Sequence, residues 1–320
     1  MDKKRLKIAF LSRYLGIVNR GAETYVLELS KRLSKNHDVD ILTGTDSDSL
    51  WKMTSGKYDL VIPTNGRMQA LKASIGRITG GYKTLLSGQA GPGRDDIWNI
   101  AVTAPDIFVA LTDFELKWAK KFAWKTKLVK IPNGVDLEKF RPGKDRIDVN
   151  LPRPVILSVG ALTWYKHHEK TIESLKRLDQ GSLLIIGAGP LKSELLDQGK
   201  SLVEAGRLKI IEVPYEGIPS FYRSADLFVL PSWDREAFGI VYLEAMASGL
   251  PVVGPDDLPR REIVGEAGLF ADVSDPLQYA AKINEVLSVE WQDKPRQQAE
   301  KFSWDKVSKR YEDLLEEVFG

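Results

Sequence analysis

Cysteine is absent from the 320 residues, and histidine occurs three times, as His37, His167 and His168. The absence of cysteine excludes thiol catalysis, zinc–thiolate sites and iron–sulfur clusters, and so few histidines argue against a multi-histidine metal site. No apolar run approaches the roughly eighteen residues of a membrane span. The opening residues also lack the long apolar segment and cleavage site of a signal peptide. We therefore expect a cytoplasmic protein, or one held peripherally on the inner face of the membrane.

The charge is nearly balanced over the whole chain but unevenly divided along it. Residues 1–150 hold 26 of the 46 Lys and Arg and 17 of the 44 Asp and Glu, a balance of +9. Residues 151–320 hold the remaining 20 and 27, a balance of −7. Two halves of opposite sign predict two domains with different partners, the first partner being anionic. The length leads to the same number, at about 150 residues per domain.

Both halves alternate short β-branched runs with longer amphipathic segments, the pattern of parallel sheets covered by helices. Six such runs occur in each half, from 7–12 to 127–134 and from 154–162 to 268–273. Between them, 141–154 carries three prolines and no periodicity, which indicates a linker. We expect two doubly wound Rossmann-like domains, residues 1–145 and 150–302, that face each other across a cleft.

The segment from Asp226 to Gly254 contains the clearest chemical pattern. A buried strand at its start leads through a polar turn to a helix that begins near Gly239, and the first amides of a helix form an anion site. Glu236 lies just before this helix, and Glu244 lies eight residues further on. The two carboxylates could accept hydrogen bonds from a polyol while the amides hold a phosphate. Alternatively, they are a helix N-terminal charge and a solvated helix residue.

The sequence EAFGIVYLEAMASGLPVV in this segment resembles the Glu-x7-Glu segment of retaining family 4 glycosyltransferases, the glycosyl transferases group 1, which have the GT-B fold. Segments 131–142, 183–196 and 215–232 are similar to further parts of the family, in the family's order. Residues 303–320 are similar to its closing helix, which packs back on the first domain. The resemblance implies a metal-independent, retaining enzyme that moves a sugar from a nucleotide-diphosphate sugar to an acceptor hydroxyl.

The resemblance also implies roles for individual residues. Glu236 would contact hydroxyls of the donor sugar, Glu244 the ribose, and Lys166 the diphosphate, with Lys166 and Glu236 assigned to catalysis. For Lys166 the alternative is a solvated loop cation. The other expected donor-site positions are Arg20, Gly21, Gln89, Gly160, Val213, Tyr215, Ala237, Phe238, Gly239, Ile240 and Val241.

Two departures from the family pattern weaken this assignment. The arginine that usually lies five residues before the lysine is replaced by Ala161, for which His167 or Arg235 is a candidate substitute. The family's first-domain histidine has no counterpart here, and Gln89, with Ser87 behind it, is the nearest polar candidate. Both departures keep open a non-catalytic nucleotide-sugar-binding protein, and less strongly a nucleotide-sugar epimerase.

The remaining two histidines have no predicted role in chemistry. We expect His37 at the surface before a strand and His168 in an ordinary loop near the donor.

Residues 114–130 interleave lysines with aromatic residues at helical spacing. One interpretation is an amphipathic helix with its lysines in water, and another is a face that rests on an anionic bilayer and presents a lipid-linked acceptor. Nucleic-acid binding is the third, and no recognition motif accompanies it. The proposed acceptor patch is Lys117, Trp118, Lys120, Lys121, Trp124 and Lys125.

The expected partners follow from these interpretations. We expect a UDP-, GDP- or ADP-sugar donor and an acceptor that is a glycan, a lipid-linked sugar or a small alcohol. We expect no nucleic-acid partner, no resident cofactor and no metal.

Overall fold

A computed structural model describes residues 4–18, 21–233 and 236–320 of the chain. The chain divides into two compact units. One contains the described residues up to Gly134 together with Trp304–Gly320, and the other the described residues of Val135–Ser303. Each unit has a six-stranded sheet whose neighbouring strands pair in parallel. The prediction of two doubly wound domains is confirmed.

The first unit contains a sheet in the order β2-β1-β3-β4-β5-β6. Its strands are β1 (Lys7–Ser12), β2 (Asp38–Thr43), β3 (Leu60–Pro63), β4 (Lys83–Ser87), β5 (Ile107–Ala110) and β6 (Lys127–Lys130). Its connecting helices are α1 (Gly21–Leu33), α2 (Leu50–Ser55), α3 (Gly66–Gly80), α4 (Arg94–Ala101) and α5 (Asp113–Ala119). Of the four inner strands, β1, β3 and β5 are almost fully buried, as parallel strands between two helix layers should be.

The second unit contains a sheet in the order β12-β11-β10-β7-β8-β9. Its strands are β7 (Val155–Val159), β8 (Ser182–Ile186), β9 (Leu208–Ile211), β10 (Leu227–Val229), β11 (Val252–Pro255) and β12 (Gly268–Ala271). Its helices are α6 (His168–Leu175), α7 (Lys192–Gln198), α8 (Lys200–Glu204), α9 (Ile218–Ser224), α10 (Ile240–Ala247), α11 (Leu258–Val264), α12 (Pro276–Ser288) and α13 (Lys294–Glu300).

The strand order of the second sheet reverses between β7 and β10. Strands β8 and β9 follow β7 on one side of it, whereas β10 pairs with β7 on the other side. At such a switch point the loops that follow the two central strands open side by side at the carboxyl edge. These are the loops that carry Lys166 and Glu236.

The last helix, α14 (Trp304–Phe319), belongs to the first unit and packs on α1. Trp304 and Tyr311 are each 1% exposed, and the Tyr311 hydroxyl donates to the Tyr25 hydroxyl at 3.2 Å. The helix also buries His37, whose Nδ1 accepts the Leu6 N–H at 3.2 Å. The prediction of a surface histidine is therefore wrong, because a helix distant in sequence covers this position.

The boundary between the units falls earlier than the sequence suggested. Residues 135–145, assigned to the first domain from the sequence, lie in the second unit. There the Val135 N–H donates to the Phe302 carbonyl at 2.9 Å, and Arg223 pairs with Asp145 at 2.6 Å. Residues 141–154, the predicted linker, contain no helix or strand.

The lysine-rich segment 114–130 is not one amphipathic helix. Helix α5 ends at Ala119, and the chain turns so that β6 can pair with β5 from Lys127 onward. The aromatic residues divide accordingly: Trp118 packs on the core and Trp124 is 65% exposed. The interpretation of the whole segment as an amphipathic helix is wrong because strand pairing outweighs helical spacing. Among the described helices, none combines the length and apolar character that crossing a bilayer requires.

Candidate functional site

The loops after β7 and β10 are joined by an ion pair between Lys166 and Glu236. Lys166 ends a short 3-10 turn, Trp164–Lys166, and its ammonium contacts the Glu236 carboxylate. The two side chains are 17% and 11% exposed, so their charges are less screened than those of a surface pair. Although 70 residues separate them in sequence, the topology brings together the two residues that were assigned to catalysis.

Two further contacts hold the same loops together. The Ser232 hydroxyl donates to the Tyr165 carbonyl at 2.8 Å. The imidazole of His167 stacks on the indole of Trp233, with ring centroids 3.7 Å apart and planes 9° from parallel. His167, a candidate replacement for the missing arginine, is therefore held in a ring stack beside the ion pair.

The start of α10 depends on a glycine that a side chain could not replace. Gly239 has a φ of +84°, and a Cβ atom on it would lie 2.6 Å from the Tyr242 ring. The Tyr242 hydroxyl in turn donates to the Leu230 carbonyl at 2.6 Å, which fixes the first turn of α10 against the end of β10. The first amides of α10 lack intrahelical acceptors by geometry and form a positive helix end beside Glu236.

Glu244 is buried one turn further along α10, with 4% exposure. Its carboxylate accepts hydrogen bonds from the Tyr222 hydroxyl at 2.9 Å and the Tyr215 hydroxyl at 3.2 Å. Burial raises the pKa of Glu244 to about 7, while the two tyrosines and the charge of Lys139 act in the opposite direction. The interpretation of Glu244 as a solvated helix residue is thus wrong.

The side chains around Glu244 form a largely buried aromatic cluster. Phe140 lies between Tyr215 and Tyr222, with ring centroids 6.0 and 5.8 Å away. The ammonium of Lys139 lies 3.5 Å from the centre of the Tyr215 ring. A carboxylate on a wall of tyrosines, with a cation beside it, suits recognition of vicinal hydroxyls next to a planar ring.

His168 is not a loop residue but the first residue of α6. It is 1% exposed, and its Nδ1 lies 3.2 Å from the Ser158 hydroxyl. Burial, and to a smaller extent the charge of the neighbouring Lys166, lowers the pKa of His168 to about 4. The imidazole is therefore neutral at pH 7.

Arg260 in α11 was not singled out from the sequence, yet it contacts the same loop. Its guanidinium donates to the Glu236 carbonyl at 2.9 Å. A basic residue three positions after Asp257, the residue that caps this helix, is the sequence signal that could have drawn attention to it.

The remaining predicted donor positions of the second unit lie on these loops or beside them. Gly160 begins the loop after β7, and its carbonyl is so close to Gly187 that a Cβ there would lie 1.9 Å from it. Phe238 is 2% exposed, and its ring packs against Phe302 with centroids 6.2 Å apart. Ala237, Ile240 and Val241 flank the start of α10, while Val213 precedes the Tyr215 loop.

The predicted residues of the first unit form a separate set. Gly21 begins α1, and Arg20 lies outside the described residues. Arg235, a candidate in the second half of the chain, lies outside them as well. The amide of Gln89 is already paired with that of Asn133, through hydrogen bonds of 2.9 and 3.0 Å in the two directions. Gln89 is therefore fixed within the first unit by its neighbours.

Metal ligands are not clustered in the part of the chain that the structure describes. Within residues 4–18, 21–233 and 236–320, no group of three or more histidines and carboxylates could hold a metal ion. Among the described residues, Lys166 and Arg260 are cationic groups that contact Glu236, and the positive end of α10 lies beside it.

Known proteins resemble this chain in sequence. The family model described as glycosyl transferases group 1 matches residues 143–303. The D-inositol 3-phosphate glycosyltransferase of Corynebacterium diphtheriae is 30% identical over 219 residues, 59% of this chain and 49% of that protein. The GDP-mannose-dependent alpha-(1-6)-phosphatidylinositol monomannoside mannosyltransferase of Mycolicibacterium smegmatis is 29% identical over 191 residues, 54% of this chain and 50% of that protein. The chain spans about half the length of these curated relatives.

Solved structures resemble the fold over nearly the whole chain. Anabaena Alr3699/HepE, solved in complex with UDP-glucose, has a TM-score of 0.82 at 17% identity, covering 97% of this chain and 99% of that chain. Sucrose-phosphate synthase from Thermosynechococcus elongatus has a TM-score of 0.81 at 20% identity, covering 98% and 99%. The GT-B fold class predicted from the sequence is confirmed.

The buried carboxyl of Glu244 predicts a specific pH dependence of stability. Because its pKa rises from 4.5 to about 7 on folding, the folded state favours the protonated form. The associated stability is complete below pH 4.5 and is lost as the pH rises to about 7, by about 3 kcal/mol in total. Urea unfolding between pH 5 and 8 should show this loss in the wild type but not in Glu244→Gln. Glu290→Gln, at an exposed glutamate, is the matched control and should lose stability with pH as the wild type does. The same pH dependence of the free energy of unfolding in wild type and Glu244→Gln would contradict the raised pKa of Glu244.

Proposed function

The chain belongs to the glycosyl transferases group 1, whose family model matches half of it, and we propose that it transfers a sugar from a nucleotide-diphosphate sugar to an acceptor hydroxyl. The observation that carries the proposal is the contact of Lys166 with Glu236 at the switch point, beside the start of α10. This arrangement supplies a cation, a carboxylate and a positive helix end, which are the groups that a diphosphate joined to a polyol requires.

The donor would be bound in three parts. The ribose hydroxyls donate to Glu244, whose carboxylate also accepts hydrogen bonds from Tyr215 and Tyr222. The diphosphate lies on the first amides of α10 and replaces Glu236 as the partner of the Lys166 ammonium. Glu236, released from the ammonium, then accepts hydrogen bonds from the sugar hydroxyls. Binding of an intact donor thus breaks the contact between Lys166 and Glu236 and gives each side chain a new partner on the donor.

We propose a retaining reaction without a metal ion. The bond between the anomeric carbon and the diphosphate breaks, and the acceptor oxygen bonds to the same face of that carbon. The departing diphosphate oxygen takes the proton of the acceptor hydroxyl. The protein's contribution is to position both substrates and to stabilise the charge on the diphosphate through Lys166 and the helix end.

Product analysis tests this proposal directly. UDP-glucose and GDP-mannose, the donors that the names of similar proteins suggest, should be tested with glycan, inositol phosphate and lipid-linked acceptors. Turnover should persist in EDTA, and NMR should find the donor's anomeric configuration in the product. Loss of activity in EDTA with recovery in Mg²⁺ or Mn²⁺ would contradict metal independence. Interconversion of donor sugars would instead identify an epimerase, and binding without turnover a non-catalytic protein.

We further propose that an anionic or lipid-linked acceptor approaches the first unit. Its basic patch is now defined by exposure and not by a helix. Lys117 lies on α5, Lys120 and Lys121 lie in the following turn, and all three are exposed. Lys125 lies over the exposed Trp124, with its ammonium 4.5 Å from the ring centre. A tryptophan among solvated lysines suits the interface of an anionic membrane.

Vesicle sedimentation tests the patch. Lysines near an anionic surface contribute on the order of 1 kcal/mol each, so the wild type should sediment with phosphatidylglycerol vesicles and be released by salt. Replacing four patch lysines by serine should abolish sedimentation at low salt. The matched control makes the same change in net charge at four exposed lysines of the second unit. The patch variant is K117S/K120S/K121S/K125S and the control is K192S/K200S/K294S/K301S. Equal losses in both variants, or no sedimentation of the wild type, would contradict a membrane role for the patch.

A further inference from the structure

Arg260 is a buried cation close to the candidate donor site. It lies on α11 and is 2% exposed. Its charge is matched by Asp257, which caps the same helix: Asp257 accepts from Arg260 Nε at 2.8 Å and from Nη2 at 2.7 Å. Burial lowers the pKa of this guanidinium, but the hydrogen bonds to Asp257, together with the electrostatic influence of Tyr242, Asp257 and Glu236, raise the pKa above its ordinary value. Arg260 is therefore charged at neutral pH.

The donors that Asp257 leaves over reach the loop after β10. Arg260 Nη1 donates to the Glu236 carbonyl at 2.9 Å, and Nη2 reaches the Trp233 carbonyl at 3.4 Å. The same two residues contact the loop after β7 through their side chains, Glu236 through Lys166 and Trp233 through the His167 ring. One guanidinium thus holds the backbone of Trp233 and Glu236, two of the residues that connect the two loops.

Burying an arginine removes its charge from water, and this desolvation opposes folding. Well-packed apolar side chains are often as stable as a buried ion pair, so the pair's geometry requires another explanation. The planar guanidinium is the side chain that can bind a carboxylate and two carbonyls at once, since its donors are fixed in one fork. A lysine has the charge but not the fork.

We infer that Arg260 is a positioning residue for the donor sugar: it anchors the loop after β10 to α11 so that the Glu236 carboxylate is held against Lys166. This inference rests on the proposed function and adds a determinant of that site on an element outside the two loops. Arg260 acts through Glu236 and contacts no reacting atom itself.

The test compares Arg260→Lys with Arg261→Lys, the same substitution one residue along. Arg261 is exposed and pairs with Asp256 at 2.6 Å, so it is the matched control. In Arg260→Lys, kcat/KM for UDP-glucose or GDP-mannose should fall about tenfold or more, because the Glu236 carboxylate loses its fixed position. The Kd of free UDP or GDP should change less than roughly threefold, because Glu244 and the start of α10 are untouched. Arg261→Lys should leave both values unchanged.

A readout on the ligand-free protein separates this inference from the proposed function. With 5-fluorotryptophan in place of the eight tryptophans, the ¹⁹F resonance of Trp233 can be assigned from Trp233→Phe. It should shift or broaden in Arg260→Lys, while the resonance of Trp304, in the first unit, stays in place. Absence of turnover in the wild type would contradict the proposed function, and the Trp233 resonance would still decide the role of Arg260.

Two results would overturn the inference. The first is an unmoved Trp233 resonance in Arg260→Lys, and the second is an equal change in Arg261→Lys. If Arg260→Lys fails to fold, Asp257→Asn takes its place, since asparagine can still cap α11 but no longer balances the guanidinium charge. It should move the same readouts in the same direction by a smaller amount, and unchanged readouts would equally overturn the inference.

Discussion

The ion pair of Lys166 with Glu236 is the contact on which the candidate site of the second unit depends. It exists because the sheet reverses its order between β7 and β10, which places two loops 70 residues apart in sequence at one edge. Ser232 and the stack of His167 on Trp233 reinforce the same junction. In the ligand-free protein the two side chains are each other's partners. In the proposed complex the diphosphate would take the place of Glu236 at Lys166, and the sugar would take the place of Lys166 at Glu236.

Much of this arrangement could be predicted from the sequence. Strands such as Lys7–Ser12 are predicted by short apolar runs, and α10 by the glycine and the apolar residues that follow it. The placement of Glu236 just before α10 and of Glu244 within it follows from their spacing in the sequence. The nearness of Lys166 follows from topology, because the residues after parallel central strands meet at one edge.

Other features depend on elements distant in sequence, and the local pattern does not show with which residues they make contact. His37 is covered by α14, which returns to the first unit from the end of the chain. The helical spacing of 114–130 is genuine, but pairing of β6 with β5 determines where the helix stops. The Tyr222 hydroxyl donates to the buried Glu244 carboxylate, and Arg260 donates to two backbone carbonyls of the loop after β10. Only the fold shows these partners, because they are distant in sequence.

A double-mutant cycle between Lys166 and Glu236 tests the central claim most directly. Calorimetry would compare free UDP with UDP-glucose, and GDP with GDP-mannose, for Lys166→Met, Glu236→Gln and the double variant. Hydrogen bonds to charged groups contribute about 1.5–3 kcal/mol, so Glu236→Gln should weaken the nucleotide sugar about ten- to a hundredfold. It should leave the free diphosphate bound as tightly or more tightly, since Lys166 loses its competing partner, whereas Lys166→Met should weaken both ligands. Equal losses of diphosphate and intact donor in both single variants would contradict the account.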